Sequence, residues 1–146
     1  MRARCDDVSL IIDLSILGQT QGSGIISIIY WQCGDCCFPQ FKWSDFVVVI
    51  LSWWMESVRD MEQPTKLYFM DGPFFMELHP AEAGRAHLDC YESNGIGEND
   101  RRLIGCYNIP IARFKREIMA AARLVVTTVE ERGWKSKDIE RLKALL

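Results

Sequence analysis

The alternation of apolar and polar positions divides the chain into elements grouped around one dense segment, Phe38 to Leu78. Within it Phe46, Ile50, Trp53, Ser57 and Met61 form one stripe at helical spacing, and Val47, Leu51, Trp54 and Val58 form the neighbouring stripe. Steps of three and four put such residues on one side of a helix, and two adjacent stripes make an apolar surface wide enough to be covered from two directions. The β-branched run Val47 to Ile50 also suits a strand, but the polar tail Met55 to Glu62 decides for a helix. Ser44 or Asp45 stands where a short side-chain oxygen caps the first turn, and Pro64 stands where it ends the helix.

Period-two patterns flank this helix. Val8 to Leu14 and Ile25 to Trp31 read as strands of a hairpin, joined through the turn-forming segment Gly18 to Gly24. That segment has neither the third glycine of a dinucleotide loop nor the Gly-Lys-Ser/Thr ending of a phosphate loop. Cys33 to Phe41 reads as a turn-rich linker stopped by Pro39. Beyond the helix, Lys66 to Met70 and Pro73 to His79 form a second hairpin around Asp71-Gly72, a dipeptide that accepts positive φ. Pro73 has no N–H, which favours an edge position or a wider loop. Ala86 to Glu92 alternates, with Leu88 and Cys90 on one face and His87, Asp89 and Tyr91 on the other.

Leu103 to Tyr107 is the last strand, after an acidic, glycine-rich loop at Ser93 to Arg101 that is expected to be exposed and mobile. Pro110 then opens a long amphipathic helix carried by Ile111, Phe114, Ile118, Ala121, Ala122, Val125 and Val129. Gly133 stops it, Ser136 caps a short final helix, and Ile139, Leu142, Leu145 and Leu146 give that helix its apolar side. Hairpin-connected strands in place of βαβ repeats predict an α+β domain. Its antiparallel sheet has about six strands, with the tryptophan-rich helix and two C-terminal helices packed on one face.

Composition narrows the function. A chain of 146 residues fits a single domain, 1–146, and 49% hydrophobic with 25% charged residues is ordinary globular content. The net charge of −3 supplies no footprint for nucleic acid and suits a basic protein partner better. Basic residues precede an apolar N-terminal stretch, but Asp6, Asp7 and Asp13 interrupt it, so it reads as a strand and not as a signal peptide. The apolar run Phe46 to Leu51 is too short to span a bilayer. A cytosolic protein without cofactor is expected, and free thiols are the default for its six irregularly spaced cysteines.

Two groups of residues carry candidate chemistry. Cys33, Cys36 and Cys37 lie in a tight turn whose CxxC spacing suits zinc or a redox pair, although no second CxxC completes a four-ligand site. His79 and His87 are the only histidines, and an odd separation on one strand puts His87 and Cys90 on opposite faces, so they make no catalytic dyad. Glu77, Asp89 and Glu92 interrupt aromatic strands, and Glu98 and Asp100 decorate the acidic loop. Beside Tyr68, Phe75 and Tyr91 they make the mixture of aromatic and charged groups that protein-docking surfaces use.

Phe38-Pro39, Trp43-Ser44-Asp45, Trp53-Trp54 and the hairpin through Leu78 resemble segments of small bacterial immunity proteins that neutralise polymorphic or contact-dependent growth inhibition toxins. The resemblance covers residues 38–78 and rests on structural motifs. It implies a non-enzymatic cytosolic inhibitor that binds one cognate toxin domain, often a basic nuclease. A thiol or zinc protein built on Cys33, Cys36 and Cys37 is the competing expectation.

Overall fold

A computed structural model describes residues 2–20, 24–60, 62–95 and 100–146. Met61, Glu98 and the centres of both glycine-rich segments lie outside the described residues. The chain is a mixed α+β structure with its strands in two sheets. Among the described residues no helix is long and apolar enough to cross a membrane.

The N-terminal half builds the first sheet. Strands β2 (Ser9–Gln19) and β3 (Ile25–Cys33) pair antiparallel, with Leu10 opposite Trp31 and Ile12 opposite Ile29, and the register slips between Asp13 and Gly18. The hairpin expected from Val8 to Trp31 is present, with longer strands. β3 is buried on both faces, which explains its nearly unbroken apolar run. The expected linker after it is instead a strand. Gly34, at φ +58°, lets the chain reverse at once, and β4 (Cys36–Phe38) returns along β3. β5 (Ser44–Phe46) then pairs with the first half of β3, Ile26 facing Phe46 and Ile28 facing Ser44.

This local pairing is why a single six-stranded sheet does not form. β2 occupies one edge of β3, and β4 and β5 share the other, so β3 has no free edge to offer the later strands. Those make their own sheet in the order β1-β9-β8-β7-β6, from β1 (Ala3–Arg4), β6 (Thr65–Tyr68), β7 (Phe74–Pro80), β8 (Arg85–Ser93) and β9 (Arg101–Pro110). All of its pairs are antiparallel except β1 with β9.

Helix α1 (Val47–Val58) buries Val47, Val48, Ile50, Leu51, Trp54, Met55 and Val58, so the second predicted stripe is the inner one. Its start and end differ from expectation. Phe46 is the N-cap residue and no side chain caps the helix, because Ser44 and Asp45 belong to β5. The Asp45 carboxylate, 1% exposed, takes the Phe46 N–H at 2.7 Å, the Trp43 indole N–H at 3.0 Å and the Asp71 N–H at 3.2 Å. It therefore clasps the hairpin loop to the helix entrance. The helix stops at Val58, ahead of Pro64, which leads into β6.

The β6–β7 connection runs from Phe69 to Pro73, wider than a two-residue turn. Gly72 has φ +99°, and a Cβ there would lie 2.8 Å from the Trp43 ring, so only glycine fits. Helix α2 (Ile111–Glu131) buries the predicted Phe114, Ile118, Ala121, Ala122, Val125 and Val129, with Val126 in addition. Gly133, at φ +73°, follows its end, and Ser136 caps α3 (Lys137–Ala144) by accepting the Ile139 N–H at 3.1 Å. Ile139 and Leu142 are buried, while Leu146 is exposed.

α1 packs on β3 and β6, and α2 packs on β2 and β9, so the helices bridge the two sheets. A line of aromatic rings marks the common core. Phe114 stacks on Trp31 at 4.3 Å, Trp31 lies 6.0 Å from Trp54, and Trp54 meets Phe69 edge-on at 5.1 Å. Phe38 then touches both Phe69 and Phe74 at 5.7 Å. Such tilted and offset contacts add to the burial of large rings.

Candidate functional site

Alternation along β7 and β8 turns Met76, Leu78, Ala86, Leu88 and Cys90 into the core and leaves Phe75, Glu77, His79, His87, Asp89 and Tyr91 on the other face. Cross-strand register aligns these outward residues in rows. In the first row Tyr68, Phe75 and Tyr91 stack, with centroids 5.7 and 5.2 Å apart. Leu103 faces Tyr91 from β9 and extends the row; it is 52% exposed, and Tyr68 is 46% exposed. The Arg101 guanidinium lies 4.3 Å above the Tyr91 ring, a cation–π contact.

The second row sets Lys66 opposite Glu77, Glu77 opposite Asp89, and Asp89 opposite Cys106. Each carboxylate is answered by an arginine from outside its own strand. Arg101 bonds Glu77, and Arg2 reaches across from the N-terminal segment to bond both Asp89 oxygens. His79 Nε2 stands 3.8 Å from Glu77 and 3.8 Å from Asp89. The hydrogen bond to Asp89 raises the pKa of Arg2, and burial raises that of Tyr91. A cleft of about 330 Å³ opens beside the aromatic row, between Tyr68, Phe74, Phe75, Ser93, Lys66 and Arg101.

The remaining predicted positions lie apart. Glu92 sits opposite Phe74, on the other face from Tyr91, and is bonded to Arg102 at 2.8 Å. Asp100 is exposed at the base of the acidic loop, where its carbonyl accepts the Asn94 N–H. Of the cysteines, Cys33 is buried, Cys36 exposed and Cys37 half-buried. Cys33 faces Cys36 across β3 and β4, whereas Cys37 faces Gln32 and so points to the opposite side. The three thiols do not converge, and among the described residues no three His, Cys, Asp or Glu side chains are grouped to hold a metal ion. His87 and Cys90 lie on opposite faces of β8, as their spacing requires.

Arg2, Lys66, Leu103 and Arg101 are parts of this surface that the sequence did not single out as such. The placement of Lys66, Leu103 and Arg101 depends on the five-residue loop before β7 and on the register shift in β9 opposite Cys90 and Tyr91, and that of Arg2 on the pairing of β1 with β9, none of which alternation reveals. The arrangement can hold a partner, because its aromatic rings are stacked on adjacent strands and its two carboxylates are already paired with arginines. No family model, curated protein or solved structure matches the chain.

Proposed function

We propose that the protein is a cytosolic inhibitor of the immunity type, which binds a cognate toxin domain through the outer face of the β1-β9-β8-β7-β6 sheet. The single observation behind this reading is the row Tyr68, Phe75, Tyr91 and Leu103 on the outer face of four adjacent strands, in which Tyr68 and Leu103 are exposed, Tyr91 is half-buried and Phe75 is buried between its two stacking partners. Rigid aromatic groups of this kind lose little conformational entropy on binding and supply most of the affinity at protein interfaces. Arginine beside tyrosine, as with Arg101 over Tyr91, belongs to the same repertoire.

The internal pairing of Glu77 and Asp89 changes the emphasis of the proposal. Carboxylates already bonded to Arg101 and Arg2 exert little long-range attraction, so the aromatic row anchors the partner and the exposed Asp100 contributes steering. Co-expression with the product of the adjacent upstream gene tests the reading. A stable complex and protection of the cells are expected, with both weakened by Tyr68→Ala and Tyr91→Ala together. No complex and no protection would overturn it.

A further inference from the structure

The Cys33–Cys36 pair has a geometry that the docking surface does not use. The two residues face each other directly across the β3–β4 hairpin, next to the two-residue turn Gly34-Asp35. Facing residues of an antiparallel pair have Cα atoms about 4.5–5.5 Å apart, inside the roughly 4.4–6.8 Å range that a disulfide spans. Their side chains leave the sheet on the same side, and Cys36 is exposed where Cys33 is 7% exposed. Cys37 is excluded by alternation, since it faces Gln32.

We propose that Cys33 and Cys36 are a modification site for small-molecule disulfides, with Cys36 as the entry thiol and Cys33 as the resolving thiol. In the first step the Cys36 thiolate attacks one sulfur of RSSR, forming Cys36–S–S–R and releasing RS⁻. In the second, Cys33 loses its proton to solvent and attacks the Cys36 sulfur. The bond to R breaks and a second RS⁻ departs, so two protein thiols are oxidised and one disulfide is reduced to two thiols. Access fixes this order, because Cys36 is exposed and Cys33 is buried. Burial pushes the Cys33 thiol well above its usual pKa, and a hydrogen bond with the buried Cys5 thiol adds to this. The second step is therefore the slower one, and the mixed disulfide on Cys36 accumulates first.

The reagent for the test is oxidised glutathione added to the full chain at mildly alkaline pH, followed by alkylation and mass spectrometry. Cleavage before Asp13, Asp35 and Asp45 separates a peptide with Cys33 from one with Cys36 and Cys37. The expected sequence is a transient glutathione adduct on Cys36, then loss of two hydrogens from the intact protein with those two peptides joined. Cys36→Ser abolishes the joining, and Cys37→Ser and Cys5→Ser leave it unchanged. Because position 36 is exposed, Cys36→Ser retains the fold, which its thermal transition checks. A stable adduct without the second step, a bond to Cys5 or Cys37, or no reaction would each overturn the proposal.

Discussion

Trp54 donates its indole N–H to the backbone carbonyl of Tyr68 at 2.8 Å. One turn later Ser57 donates its hydroxyl to the carbonyl of Lys66 at 3.1 Å. β6 is the terminal strand of its sheet, and unpaired carbonyls along such an edge invite a strand from another chain. Helix α1 thus closes the edge with two side chains and leaves the outer face of the same sheet open.

Trp54→Phe removes one of these donors together with part of a fully buried ring. A lost hydrogen bond to the Tyr68 carbonyl and incomplete refilling of the space predict destabilisation of about 2–4 kcal/mol. Ser57→Ala, at a half-buried site, removes only the hydroxyl and should cost about 1 kcal/mol. Denaturant midpoints at unchanged slope give both values. Size-exclusion chromatography should show more self-association for the double variant, and equal losses for the two single variants would contradict the packing share assigned to Trp54.

Periodicity was enough for α2, α3 and most strands, because each keeps one clean pattern: Phe114, Ile118 and Val125 on a helix, Leu88 and Cys90 on a strand. What alternation does not encode is the partner. Cys36 to Phe38 and Ser44 to Phe46 are only three residues each, too short for a period to show, yet they fill the edge of β3 and split the strands between two sheets. The same limit applies to the surface. Glu77 and Asp89 stood out as carboxylates among aromatic residues, but the arginines that neutralise them come from residues 2 and 101, remote in sequence.

The aromatic row yields a quantitative prediction about binding. Tyr91→Ala removes a ring held between Phe75 and Arg101, and interface tyrosines of this kind contribute about 2 kcal/mol or more. On the proposed reading, affinity for the toxin domain should fall roughly 30-fold, mainly through faster dissociation. Glu92→Ala, on the opposite face, should leave it unchanged. Surface plasmon resonance measures both, and equal effects would place the interface elsewhere.

Arg2 and Asp89 offer a test of how the N-terminal segment is held. Asp89 is 6% exposed, and Arg2→Ala leaves this carboxylate without its guanidinium, with the His79 ring 3.8 Å away. A third of the Arg2 side chain is solvent-exposed, so screening limits the loss to about 1–2 kcal/mol. Combining Arg2→Ala with Asp89→Asn should recover part of it, since the uncompensated charge is then gone. A double-mutant cycle by chemical denaturation provides the coupling energy.

Asp45 gives the protein a distinctive pH dependence. Burial is the largest influence on its carboxyl and raises its pKa, outweighing the N–H donors from Trp43, Phe46, Asp71 and Met70. A carboxyl with a raised folded-state pKa binds its proton more tightly when folded than when unfolded. Its contribution to stability therefore falls as pH rises from the ordinary aspartate value, about 3.9, through the raised one. Asp45→Asn lacks this slope and also sets an amide donor among N–H groups, so it should be the less stable protein throughout. Because the other titrating groups are common to both, the gap between wild type and Asp45→Asn should widen as pH is lowered from neutral towards about 4. Urea titrations of the two proteins across that range measure the gap, and a gap that narrows on acidification would mean that the hydrogen bonds, and not burial, govern the carboxyl.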